Sequence, residues 1–420
     1  MNAPARDRSL SSTRMEVLFP RADKTGKQES SVSSEPTYYG LPMLKRPTWR
    51  WYIPSYFFLG GLAGGAAMIG AAASLFGRKK HRVTVRNARY LALAAAIISP
   101  ILLIMDLGRP SRFHHMMRVF KLSSPMSVGT WLLSGFAAFS GLLAAKQAAD
   151  DDFIVRRESG LGKLLRALPE KPLDLMHGLS GAGLGSYTGV LLAATAVPLW
   201  AAGGILLGPL FMATAMASGA AALTIMGIAS GHLKGDDHRE LELVETTAAI
   251  AQLGIMATRE IVLPPEINRH LRQGFWGRVY RFGAIGGGLV LPLGIRAAHR
   301  LSRHRVARSL AVVLSILTVL GALAERFALV EAGKLAADDP HAYQALTRGA
   351  PGESRPTPKQ QARKAREQGV RYGFKPQMAA PTAAPMKPIS EIGVSMTRSL
   401  PCFSSSPSVT LNGPPAAATS

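Results

Sequence analysis

The sequence predicts an all-α integral membrane protein of eight transmembrane helices, grouped as two four-helix bundles, with a disordered N-terminal arm and a disordered C-terminal tail. Three observations predict it. The apolar residues, 47% of the 420, gather into runs near the roughly 20 residues that cross a hydrocarbon core. The 49 Lys and Arg, against 26 Asp and Glu, lie in the short stretches between those runs. Small residues, including 42 Gly, are set into the runs themselves, as where helices pack closely in lipid.

Residues 1–50 form a polar, Ser-rich arm without the apolar stretch of a cleavable secretory signal. The spans follow at about 52–76, 88–107, 126–145 and 178–200, which make the first bundle within 51–200. The second bundle, 201–334, holds spans at about 206–229, 241–263, 279–298 and 309–333. The sixth is the most polar, carrying Glu242, Glu245 and Gln252. From about 335 to 420 the composition turns to Pro, Ala, Ser and Lys, which cannot bury enough apolar surface to order itself. Phe57 with "GAA" at 65–67 recurs as Phe211 with "GAA" at 219–221, which suggests a duplicated bundle, although small residues are common in any tightly packed span.

The net charge of +23 raises nucleic acid as a partner, but cations placed in loops between membrane runs serve orientation and anionic lipid headgroups. Nucleic-acid binding is therefore excluded as the reading. The loops after the odd-numbered spans hold 19 Lys and Arg and the opposite loops with the near-membrane termini hold 14. That bias places both termini and the 108–125 loop on the non-cytoplasmic face. The single cysteine, Cys402, can neither form a disulfide within the chain nor supply the four thiolates of an iron–sulfur cluster. The ten histidines fall in loops or at span ends with no facing interior pair, so no intrinsic heme and no protein-held metal are expected.

Charges at membrane depth are functional candidates by default. Asp106 ends the second span, with Arg109 three residues on; the two read as a helix-end ion pair or as a carboxylate presented to a ligand that must lose a proton. Arg112, His114, His115, Arg118 and Lys121 follow in the same loop. Tyr56 and Tyr187 read as packing residues bonded to backbone or as donors to a polar headgroup. Glu245 and Glu325 read as structural pairs, with each other or with Arg259 or Arg281, or as a proton path. The glycine run at 60–74 is no phosphate loop, since it lacks both a preceding strand and Lys-Ser/Thr.

The segments "WRWYIPSYFFLGGLAGGAAMIGA" (49–71), "DLGRPSRFHHMMRVFKLSSPMSVGTWLL" (106–133), "GSYTGVLLAATAVPLW" (185–200) and "LFMATAMASGAAAL" (210–223) resemble the NrfD or polysulfide reductase membrane-subunit family, over about 49–334. The resemblance implies a metal-free subunit in a bacterial inner membrane that binds a quinone, menaquinone or ubiquinone, within the first bundle. It implies electron exchange with a four-cluster ferredoxin-like iron–sulfur subunit on the periplasmic face, and a molybdopterin oxidoreductase subunit beyond that. By this resemblance Tyr187 matches a tyrosine that hydrogen-bonds a quinone oxygen, and Tyr56 stands where some relatives carry a histidine. Tyrosine accepts protons poorly near neutral pH, which points to Asp106 as acceptor beside Arg109. The loop from Arg112 to Lys121 then becomes the docking surface for the iron–sulfur protein. The competing class is a proton- or ion-translocating transporter using Glu245 and Glu325, with Gly287, Gly288 and Pro292 interrupting the seventh span.

Overall fold

The computed structural model describes residues 44–77, 81–153, 155–231, 235–302 and 307–348. They belong to the first of two units, Met1–Arg355; the arm before residue 44 and the chain from 349 lie outside the described residues. Among the described residues every regular element is helical: α1 (Tyr52–Phe76), α2 (Arg82–Met105), a 3₁₀ helix (Pro110–Met117), α3 (Pro125–Asp150), α4 (Gly160–Ala167), α5 (Glu170–Ala193) and α6 (Pro198–Ala229). Then come α7 (Gly235–Val262), α8 (Pro265–Arg272), α9 (Gly274–Arg278), a π-helical segment (Val279–Val290), α10 (Leu291–Leu301), α11 (Arg308–Ala337) and α12 (Pro340–Arg348).

Among the described residues five helices, α1, α2, α3, α6 and α11, are long and apolar enough to cross a membrane. The other long segments, α5, α7 and the run from Gly274 to Leu301, carry more charge, among it Glu170 and Asp174, Glu242 and Glu245, and Arg281 and Arg296.

The small residues of α1 decide the packing. Gly64 meets the backbone of Gly181 and Gly185 in α5, Gly65 meets the Ala215 carbonyl in α6, and Gly219 meets the backbone of Gly65 and Ala66 in return. No side chain fits at these crossings, so α1 becomes the central helix, packed against α2, α5, α6 and α11. Lipid tails are as apolar as leucine, so close backbone approach rather than apolar burial supplies the attraction.

Several boundaries differ from the sequence reading. The fourth span was expected to end at 200 and the fifth to begin near 206; α5 in fact ends at Ala193 and α6 begins at Pro198. Proline favours a helix's first position, because its fixed φ suits the helix and its missing N–H costs nothing there. The break expected between 200 and 206 is a kink within α6, where Gly204 takes φ 42° and ψ −126° ahead of Pro209. The seventh segment runs from Gly274 to Leu301 and widens to π geometry across "GAIGGG", where Gly288 packs against the backbone of Gly321 in α11. Order also extends beyond both expected ends of the membrane domain. Trp49 stacks on Trp200 with centroids 5.3 Å apart, and Ala336, Ala337 and Ala342 are buried, so residues 44–50 and 335–348 belong to the fold rather than to disordered termini.

At the end of the molecule that holds Trp49, α12 is clamped to α8 through Asp339. Its carboxylate accepts from Arg269, from His270 Nε2 at 2.9 Å and from the His341 amide at 3.0 Å. Burial works to raise the Asp339 carboxyl, but the hydrogen bonds from His270 and His341 and the charge of Arg269 outweigh it and hold the group below the ordinary carboxylate range.

This packing sets two expectations for stability. Gly65→Val should lower the melting temperature of the detergent-solubilised protein, an overpacking cost of about 1–3 kcal/mol. Gly254→Ala, at a position with nothing within 4 Å, should be neutral or stabilising. For Asp339, a folded-state value below the unfolded one means stability that is present above about pH 4 and lost as pH falls through the folded value. Asp339→Asn should therefore melt lower than wild type at neutral pH, and the difference should close in acid.

Candidate functional site

Tyr56 lies one turn into α1 and Tyr187 in the last two turns of α5, and both are buried. The helices bring them within electrostatic reach of each other. A Cβ on Gly60 would make ordinary contact, 3.7 Å from Leu184 Cγ and 3.8 Å from the Tyr56 ring. The Tyr187 hydroxyl donates to the Pro125 carbonyl at the start of α3, and its ring lies against Gly129, where any Cβ would overlap the phenol. Ser124 caps α3 by accepting from the Ser127 amide at 3.4 Å, and Pro125 takes the first helical position, which fixes the carbonyl that Tyr187 uses.

Asp106 caps the C-terminus of α2 at the same end of the bundle and is half-buried. The charges that act on it are Arg50 and Lys334. Arg109 is exposed and forms no ion pair among the described residues, so the helix-end Asp106–Arg109 pair is replaced by cations from the N-terminal arm and α11. The following 3₁₀ helix and its flanks expose Arg112, His114, His115, Arg118 and Lys121 together with Phe113, Val119, Phe120 and Leu122. The His114 and His115 rings meet edge to face at 4.4 Å, which turns their nitrogens in different directions. Beside α5 an apolar groove of about 760 Å³ runs along the α6 kink, lined by Val190, Ala193, Gly204, Ile205, Gly208 and Met212.

The two deep acids do not pair with each other. Glu245 meets Arg296 at 2.8 Å and accepts from Ser315 at 3.1 Å. Glu325 accepts from Thr214 at 2.7 Å and Gln252 at 3.0 Å and lies 3.3 Å from its neighbour Arg326. Arg259 instead donates to the Leu199 carbonyl at 3.1 Å and bonds Tyr280, and Arg281 lies over the Phe282 ring at 5.8 Å.

A third group of polar residues is one that the sequence reading misses. Arg89 in α2 is buried against Asp174 at 2.7 Å, with Glu170 at 2.7 Å and Gln147 at 2.9 Å; Ser74 donates to Asp174 at 2.5 Å. His177, one turn further along α5, shares a hydrogen bond with Ser140 at 2.9 Å and stacks on Phe136 at 5.2 Å. A fourth span that starts at 178 leaves His177 outside it. The spacing of Glu170, Asp174 and His177, four and three residues apart, is the helical signal that marks one face. Among the described residues, no group of three or more His, Cys, Asp or Glu is arranged to hold a metal ion.

An all-helical protein with helices fit to cross a membrane, and with hydroxyls and carboxylates sequestered at the helix seams, is an integral membrane protein with an internal polar site. The family description "Polysulphide reductase, NrfD" matches residues 41–337, and the chain belongs to this family. It is 27% identical over 308 residues to a protein called "Protein NrfD homolog" from Haemophilus influenzae, covering 68% of this chain and 94% of that protein. It is also 26% identical over 315 residues to the C component of polysulfide reductase from Wolinella succinogenes, again covering 68% and 94%.

Proposed function

We propose that the chain is the membrane anchor and quinone-binding subunit of a multi-subunit oxidoreductase, passing electrons between the membrane quinone pool and a partner iron–sulfur subunit. The observation that carries this reading is the convergence of Tyr56 and Tyr187 inside α1, α3 and α5, with Asp106 at the same end beneath an exposed basic loop. Membership of the NrfD family and the similarity to a protein named as one component of a polysulfide reductase support it. In this reading α5, α7 and the Gly274–Leu301 run also span the bilayer, giving eight spans in two bundles within a bacterial inner membrane. Both termini and the 108–125 loop then face the periplasm.

A bound quinone supplies two-electron, two-proton redox chemistry. Tyr56 and Tyr187 would hold such a ligand by donating from their phenols to its oxygens, and the apolar α5–α6 groove would suit an isoprenoid tail. Binding requires the Tyr187 hydroxyl to exchange the Pro125 carbonyl for a ligand oxygen, and Gly129 leaves its ring free of a Cβ that would clash. Asp106 serves as proton acceptor: burial raises its carboxyl above the ordinary carboxylate range against the opposing charges of Arg50 and Lys334, and Arg109 stands at the rim. The partner is a four-cluster ferredoxin-like protein, with a molybdopterin-containing subunit beyond it. Arg112, His114, His115, Arg118 and Lys121 steer its acidic surface to the exit.

Two measurements test this. In the assembled complex Tyr187→Phe should lower quinol oxidation about tenfold, the value of one hydrogen bond, and Asp106→Asn about a hundredfold or more, as for a lost proton acceptor. Unchanged rates in both variants would remove the site. Reversing Arg112, Arg118 and Lys121 together to Glu should abolish co-purification of an iron–sulfur subunit, and wild-type association should weaken as salt rises. Association that ignores both changes would place the docking surface elsewhere.

A further inference from the structure

The stretch 44–50 ahead of α1 belongs to no helix, yet it is held on the fold like a strap. Leu44 and Trp49 pack against the buried core, while Lys45, Arg46, Thr48 and Arg50 are exposed. The ion pair of Arg46 with Asp338 at 3.3 Å is open to solvent on both sides, and such pairs contribute little. Trp49 does the holding. Its indole stacks on Trp200, with centroids 5.3 Å apart and planes 14° from parallel, and meets the Phe57 ring edge to face at 6.2 Å.

Trp200 is a rigid platform for that stack. It is fully buried in the first turn of α6, its indole N–H donates to the Leu329 carbonyl at 2.8 Å, and a Cβ at Gly333 would overlap the ring. Both of those contacts come from α11. On the other side, Phe57 is enclosed by Trp49, by Tyr56 at 5.6 Å and by Phe211 at 6.4 Å, and Arg326 lies 3.5 Å over the Phe211 ring. Tyr56 is therefore one ring removed from Trp49. The residue after Trp49 is Arg50, whose carbonyl accepts from the Ile53 amide at 3.2 Å and whose charge reaches Asp106.

The other charged groups about Asp106 are Lys334 and Arg109. Lys334 is buried on α11 with the Glu331 carboxylate 2.5 Å from its Nζ, so its charge is partly offset at a distance. Arg109 is exposed and pairs with no carboxylate among the described residues. A strap kept only for stability needs any apolar anchor, but this anchor is joined at both ends to the site: ring against ring to Tyr56, and through the next peptide unit to Arg50. We propose that Trp49 is a positioning residue of the quinone site: clamped between Trp200 and Phe57, it sets the Phe57–Tyr56 wall and fixes the backbone from which Arg50 acts on Asp106. Asp106 accepts a proton only as the carboxylate, a form that a nearby cation favours. The inference rests on the reading of Tyr56 and Asp106 as quinone residues. It also makes the site depend on the second bundle, since α6 and α11 supply the platform.

The test follows oxidation of a short-chain quinol by the assembled complex against pH, with decyl-ubiquinol or menadiol according to which one the wild type uses. Trp49→Ala should move the acid limb of kcat/KM upward by about half a pH unit, a roughly threefold slower rate on the acid side, because the acceptor is then protonated more readily. Arg50→Gln should move the limb equally and the double variant no further, since one residue acts through the other. On the alkaline plateau Trp49→Ala should still lose about threefold, a loss that should vanish in a Tyr56→Phe background. Trp49→Phe keeps a ring in the stack and should restore both features, whereas Arg46→Gln should alter neither. Trp49→Leu, which fills much of the gap without a ring plane, carries the same expectations as Trp49→Ala should that variant not assemble. A lower melting temperature with the limb and plateau of the wild type makes Trp49 a fold anchor only and overturns the proposal, as do additive losses in both double variants. Rates that respond to Arg50→Gln, Tyr56→Phe and Asp106→Asn but ignore Trp49→Leu overturn the positioning role alone. Rates that ignore all four overturn the quinone site and this role with it.

Discussion

Everything in this molecule depends on how closely α1 is allowed to approach its neighbours. At Gly64, Gly65 and Gly219 helix backbones touch, because no Cβ intervenes. In lipid that proximity does the work that apolar burial does in water, through many small dispersion attractions acting together. With α1 held against α2, α5, α6 and α11, Tyr56 on one side of it faces Tyr187 and Phe57 on the other faces Phe211 and Arg326. One helix thereby joins a phenolic site to an acidic interior.

The polar interior divides into three groups with different characters. The Arg89, Asp174, Glu170, Gln147 and Ser74 cluster ties α1, α2, α3 and α5 together at one end and has most of its oxygens on donors, as a structural lock should. The Asp339 clamp does the same for α8 and α12 at the other end, nearer to solvent. The Glu245 and Glu325 sites differ from both, since each leaves a carboxylate oxygen uncommitted at full burial. The contrast within one protein argues against treating every buried ion pair as mere support.

The positions of the long helices were legible because apolar runs of bilayer length leave a strong pattern, and α1, α2, α3 and α11 lie where composition placed them. The α5–α6 boundary was not. Pro198 starts a helix as readily as it ends one, and Gly204 marks a kink that on paper looks like a connection. Among candidate residues, type and depth were readable, so Tyr56, Tyr187, Glu245 and Glu325 stood out. Partner choice was not, because Arg296 and Ser315 come from helices with no fixed register relative to α7, and Arg50 belongs to a segment whose composition suggested disorder. Periodicity ranks faces within one helix; it says nothing about which faces of two helices meet.

The placement of the two acid–base pairs along the chain also bears on how the protein is made. Glu325 and Arg326 are adjacent, so α11 enters the bilayer with its own counter-ion alongside. Glu245 depends on Arg296, which leaves the ribosome only after α7 is complete, and until then that helix carries an unneutralised carboxylate. On the proposed eight-span topology, α7 is thus expected to wait at the translocon, or at the lipid boundary, for the Gly274–Leu301 run, and the two to be released into the bilayer together.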